Sequence, residues 1–224
     1  MIEKLFTLFR EELEEEGLIG NEGKMIDATF IEVPIQRNTR EENKQIKGGS
    51  IPDDWQNKQH KLSRKDRDAR WTKKGGKTFF GYKNHVKADT KSKLIEEYIV
   101  TAASVHDSKA VEELLDEGDA GQSLYADSAY SGAPVAEVVE QKKMINQIHK
   151  KGYRGHPLSD QQKESNKKKS KIRVRVEHIF GFMENSMGGC FIRTIGKTRA
   201  CAVVGLMNLT YNIFRAIQVG FTAA

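Results

Sequence analysis

Cysteine is almost missing from this chain. Two occur in 224 residues, Cys190 and Cys201, with no CxxC pair. A disulfide framework and a structural zinc site are therefore excluded as organising devices, and a reducing cytoplasm is the expected location. Long apolar runs are lacking too. None approaches the roughly 18–20 residues that a membrane span needs, so no membrane partner is expected. The first sixteen residues are acidic and amphipathic, unlike a signal peptide. His85, His106 and His178 have no zinc-ligand spacing. Ser131 and Ser159 have no nucleophile-elbow context.

What the chain does have is charge. Lys and Arg number 37 against 31 Asp and Glu, a formal charge of +6. The distribution is uneven. Residues 36–78 hold 13 basic against 6 acidic side chains, and residues 163–175 hold seven against one. Two basic blocks on one chain point towards a phosphate backbone. The run from Lys163 to Lys171 reads as a solvated helix face that could touch phosphates without reading sequence.

Periodicity sets out the elements. Ile2, Leu5, Phe6, Phe9 and Leu13 predict a helix over 2–16 that must pack on something to be stable. Lys24–Val33 is a strand ended by Pro34, with Met25, Asp27, Thr29 and Ile31 on one face. Residues 35–78 read as a long basic loop with Trp55 and Trp71 as its large aromatics. Trp71, among cations, either stacks on a base or pins the loop. Phe79–Ala88 and Leu94–Ala102 are two strands. A helix capped by Asp107 or Ser108 runs to about Asp116. Gln122–Asp127 is a strand, Pro134 starts a helix to about Lys143, and Met144–His149 is another strand. Ser159 and Gln162 form a capping box for a long helix reaching the Gly188–Gly189 pair. A last helix covers Thr198–Gln218. The order implies an α/β fold, a mixed sheet flanked by helices with a long basic insertion after the first strand.

Three carboxylates stand out. Asp27 is an anomaly inside a strand, where a charge is costly unless paired. Asp127 ends a strand. Glu177 lies at the rim of the stripe Ile172, Val176, Ile179 and Met183, with Arg173 one turn before it. Acids gathered at strand ends repel one another, and a divalent cation resolves that repulsion. All-oxygen ligands point to Mg²⁺ or Mn²⁺. Two such ions, roughly 4 Å apart, would clamp a phosphodiester during in-line displacement.

The segments MIDATFIEVP (25–34), RWTKKGGKTFFGYKNH (70–85), ADSAY (126–130) and RVRVEHIFG (173–181) resemble the bacterial insertion-sequence transposases of the DDE type, in particular the insertion-sequence-five group. The resemblance runs from about residue 20 to residue 217. It implies a ribonuclease-H-like core with Asp27, Asp127 and Glu177 as a metal-binding catalytic triad. It also implies hydrolysis at the element ends followed by strand transfer into target DNA. Trp71, Lys73, Lys74, Lys83, His85 and Arg173 are the expected DNA contacts. A homodimer on DNA and a bacterial cytoplasmic, nucleoid-associated location are expected with them.

Relatives carry a Tyr–Arg–Glu–Lys signature; Arg173 and Glu177 match it, whereas Ser170 and Glu184 replace the outer two. Relatives also carry a longer helical DNA-binding region before the first Asp. The expected division is thus a helical stub (1–20), a catalytic domain (21–219) with an insertion at 35–78, and a tail (220–224). The alternative is a truncated remnant that binds DNA or inhibits without catalysing.

Overall fold

The computed structural model describes residues 1–20 and 22–221; part of the expected tail, residues 222–224, lies outside them. A mixed six-stranded sheet organises the chain. Strands β1 (Lys24–Glu32), β2 (Arg70–Lys74), β3 (Lys77–Asp89), β4 (Ile95–Ala102), β5 (Ser123–Tyr125) and β6 (Ile145–Asn146) form it. β3 pairs antiparallel with β1 on one side and with β2 and β4 on the other. β5 joins β1 in parallel, and β6 joins β5 in parallel. Three long antiparallel strands followed by short parallel ones form the ribonuclease-H-like sheet that the motifs implied.

Helices cover both faces. Ile26 points into a core completed by α5 (Val111–Leu114), α6 (Ala133–Gln141) and Tyr130. Met25 points the other way, against Val176, Ile179 and Met183 of the long helical segment and Phe6 of α1 (Ile2–Glu15). The alternation read along β1 therefore holds, and Asp27 shares Met25's face. The last helix, α9 (Lys197–Val219), packs on α1 and β4. It is long and apolar enough, by length and composition alone, to cross a membrane, which corrects the expectation that no such run exists. Its buried side includes Asn208, bonded to Asn84 of β3, and Asn212, bonded to both backbone groups of Ile95. Those buried polar pairs tie it to the sheet, as they would a core helix.

Four expectations change. The segment expected as one loop over 35–78 contains α2 (Arg40–Lys47), α3 (Asp53–Gln56) and α4 (Gln59–Leu62), and its last residues form β2 and the start of β3. Trp55 is fully buried and donates its indole N–H to Glu42, which also accepts from Lys61. Asp66 anchors the far end by accepting from the Tyr82 hydroxyl and the Gly196 amide. The helix expected after Val105 is a 3₁₀ turn (Asp107–Ala110) and one short α5, with His106 rather than Asp107 as its cap. Asp107 instead neutralises Lys83. The parallel strands β5 and β6 are shorter than read.

The long helix is interrupted as well. Ser159 and Gln162 form the expected capping box for α7 (Asp160–Arg173). A 3₁₀ turn at Val174–Val176 then separates α7 from α8 (Glu177–Ser186). Arg173 ends one segment and Glu177 begins the next.

Candidate active site

Asp27 sits in β1 where the sheet is still covered on both faces, and its side chain is 15% exposed. One carboxylate oxygen accepts from the following backbone amide of Ala28 at 2.8 Å. The other accepts from Arg173 Nη1 at 2.9 Å. Burial, helped by the negative charge of Asp127, pushes its pKa from an ordinary 3.8 up to about 6, against the opposing pull of Ala28, Arg173 and Lys74. This is a desolvated carboxylate with too little positive charge around it.

Asp127 follows β5. Its Oδ1 accepts from Ala129 N–H at 2.7 Å and caps the 3₁₀ turn Ser128–Tyr130. Register explains its nearness to Asp27. β1 and β5 are parallel with Met25 level with Tyr125, so two residues on, Asp27 comes level with Asp127. Glu177 comes from the helical layer that packs on Asp27's face of the sheet. Its side chain is 58% exposed, and Oε1 accepts from Arg173 Nη2 at 3.1 Å. One guanidinium therefore spans Asp27 and Glu177, a planar fork that a lysine could not reproduce.

Asp27 and Glu177 are thus joined through Arg173, and Asp127 lies near enough to Asp27 for its charge to act on it. Among the described residues no three His, Cys, Asp or Glu side chains form a group that could hold a metal ion. Two polar atoms near these acids are buried without hydrogen-bond partners among the described residues: Arg173 Nε and the hydroxyl of Tyr130. Tyr130 lies near enough to Asp27 and Asp127 that their charges help raise its pKa, after burial.

The expected DNA contacts separate into two groups. Trp71 is 45% exposed, leaning on Phe80, and Lys73 and Lys74 are exposed on the same strand. Lys74 is close enough for its charge to act on Asp27. Lys83 and His85 are corrections. Lys83 is buried and donates to the Val105 carbonyl and to Asp107, both at 2.7 Å. His85 is wholly buried with Nε2 2.8 Å from Thr101 Oγ1, and burial pulls its pKa down to about 4. Neither can face a duplex, because both point into the layer under α5 and α6.

His149 is the neighbour that the motifs did not single out. Its backbone N–H donates to Ala126 O at 3.1 Å, and its Nε2 lies 3.4 Å from Ser170 Oγ on α7. The available signal was that MINQIH, like QSLYAD, reads as a short strand ending in a chemically capable side chain.

Comparison with known proteins bears on this geometry. The profile of the family described as "Transposase DDE domain" matches residues 20–213. The transposase for insertion sequence element IS1106 of Neisseria meningitidis serogroup B is 28% identical over 221 residues, covering 96% of this chain and 73% of that one. Among solved structures, the piggyBac transposase synaptic complex with hairpin DNA aligns over 91% of this chain with a TM-score of 0.45 and 9% identity. This chain spans about half of that protein, 49% of its length.

Proposed function

The chain belongs to the transposase DDE domain family, and from that premise we propose that it cuts DNA at the ends of a mobile element and joins them to a target. Hydrolysis adds water across a P–O3′ bond and leaves a 3′-hydroxyl. In the joining step that hydroxyl attacks a target phosphate and displaces the target's 3′-oxygen. The attacking hydroxyl gives its proton to solvent and the displaced 3′-oxygen takes one up, so no net proton is released.

The observation that carries this reading is the shortage of positive charge at Asp27. Its carboxylate is desolvated, pushed to about 6, and level with a second acid. A divalent cation is what such a site lacks, so the residues fit one: Asp27, Asp127 and Glu177 would hold Mg²⁺ or Mn²⁺, and we propose two ions. When bound, such ions supply Lewis-acid stabilisation of the charge that develops on the phosphoryl oxygens. The remaining work falls to the chain. Asp27 and Asp127 are held by backbone amides on a rigid sheet, which fixes their aim. Arg173 aligns Glu177 with Asp27. Trp71, Lys73 and Lys74, at the open edge of the sheet, grip the sugar–phosphate chain without specifying bases. A dimer on paired ends, a cytoplasmic location and a catalytic unit spanning residues 21–219 belong to the same proposal.

Asp127→Asn tests it. The substitution keeps size and the cap but removes one of the three carboxylates. Mg²⁺-dependent nicking of end DNA is expected to disappear while duplex binding persists. Nicking at the wild-type rate would remove Asp127 from the mechanism. Binding without any nicking by the wild-type chain would favour the alternative, a DNA-binding remnant.

A further inference from the structure

Three neighbouring parallel strands bring chemically capable side chains into one row. β1 and β5 set Met25 level with Tyr125, and β5 and β6 set Leu124 level with Asn146. Continued, the register places Asp27 beside Asp127 and Asp127 beside His149. Backbone hydrogen bonds carry the second pairing that far: Gln147 N–H donates to Leu124 O at 2.9 Å, and His149 N–H to Ala126 O at 3.1 Å. His149 therefore flanks Asp127 on the side away from Asp27. Across from it, Ser170 lies one turn before Arg173 on α7, with Oγ 3.4 Å from His149 Nε2. The other ring nitrogen, Nδ1, has no hydrogen-bond partner among the described residues, and the ring is only half-buried.

We propose that His149 is a further contact residue of this site, donating Nδ1–H to a non-bridging phosphate oxygen of the cleaved strand while Ser170 holds Nε2. The inference rests on the DNA-cleavage reading above and names a residue within it. With the serine hydroxyl donating to Nε2, the neutral ring keeps its proton on Nδ1, the nitrogen left open. Burial, with the charges of Arg173 and Lys169, disfavours the cationic ring against the opposing pull of Asp127. A neutral donor suits the place. A lysine or arginine beside Asp127 would pair with it, as Arg173 pairs with Asp27, and would oppose cation binding there. An imidazole can hold a phosphate without doing so. It also gives Ser170 a role of its own where relatives carry a tyrosine.

The experiment uses the 224-residue chain, a duplex carrying the terminal sequence that flanks its gene, and Mn²⁺. His149→Ala is expected to slow nicking by about tenfold to a hundredfold, the worth of one hydrogen bond to a charged group, with duplex affinity nearly unchanged. His149→Asn places an amide N–H near the Nδ1 position and is expected to restore most of the rate. His149→Gln extends its amide towards Nε2 instead and is expected to stay slow. A purely structural role, through the Nε2–Ser170 contact, would favour Gln over Asn and so reverse the order, and the comparison stands even if the alanine variant unfolds. Wild-type nicking by His149→Ala, or equal or reversed rates for Asn and Gln, overturns the inference and leaves the cleavage reading in place. Failure of the wild-type chain to nick at all would sink both.

Discussion

Two groups of charges are built into the same sheet, and they are handled in opposite ways. At one, Lys24 reaches Glu96 at 2.6 Å, and Lys87 reaches Asp116 at 2.6 Å and Asp119 at 2.8 Å. Lys24, Lys87 and Asp119 are almost wholly inaccessible, and each charge touches its counter-charge directly. At the other, Asp27 and Glu177 share one guanidinium, and Asp127 has no basic side chain bonded to it among the described residues. The first arrangement is closed and holds the fold. The second is left electronegative and open, which is the condition for binding a cation and the phosphate that comes with it.

The largest way to sharpen that contrast is Lys87→Met. It strands Asp119 as an uncompensated buried charge and is expected to cost about 3–5 kcal/mol, read as a lower midpoint in thermal or urea unfolding. Asp127→Asn, by contrast, is expected to leave the midpoint unmoved; equal losses for both would erase the distinction. Next comes Arg173→Ala, which is expected to reduce single-turnover nicking by about tenfold to a hundredfold. Arg173→Lys is expected not to recover it, because an ammonium cannot bridge Asp27 and Glu177 together.

A smaller effect is set by pH. Asp27 holds its proton more tightly folded, near 6, than unfolded, near 3.8. Metal-free stability is therefore greatest below the lower value and declines as pH rises through the higher one. Metal uptake needs the carboxylate, so it runs the other way. The thermal shift produced by Mn²⁺ is expected to be weak at pH 5 and full by pH 7.5, and Asp27→Asn is expected to flatten that dependence. A shift of equal size at both pH values would detach Asp27 from the cation. The smallest change is expected for Lys74→Ala. It should lower the slope of log affinity against log salt by about 0.9, one phosphate contact, with stability unchanged.

Legibility in the sequence followed the range of the interactions. The strand carrying Asp27 was visible because alternation is local, and the Ser159–Gln162 cap because its partners lie three residues apart. The stripe Val176, Ile179 and Met183 is buried as periodicity required. Lys83 and His85 were misread as DNA contacts for the converse reason. YKNHVKAD looks polar, yet Lys83, Asn84, His85 and Lys87 each find a partner, in Asp107, Asn208, Thr101 and Asp119, whose places in the chain give no hint of contact. The 3₁₀ interruption before Glu177 left no mark either, since it preserves the apolar spacing. The row formed by Asp27, Asp127 and His149 depends on strand register, which composition does not encode.

Arg173 has a consequence for the resting molecule. By lying across Asp27 and Glu177 it acts as an internal counter-ion, so the site keeps its shape when no divalent ion is present. Chelation by EDTA would then silence such a protein without melting it, unlike a zinc finger, whose fold departs with its metal. Activity would return on adding Mg²⁺ as fast as a side chain can turn aside, with no refolding step between.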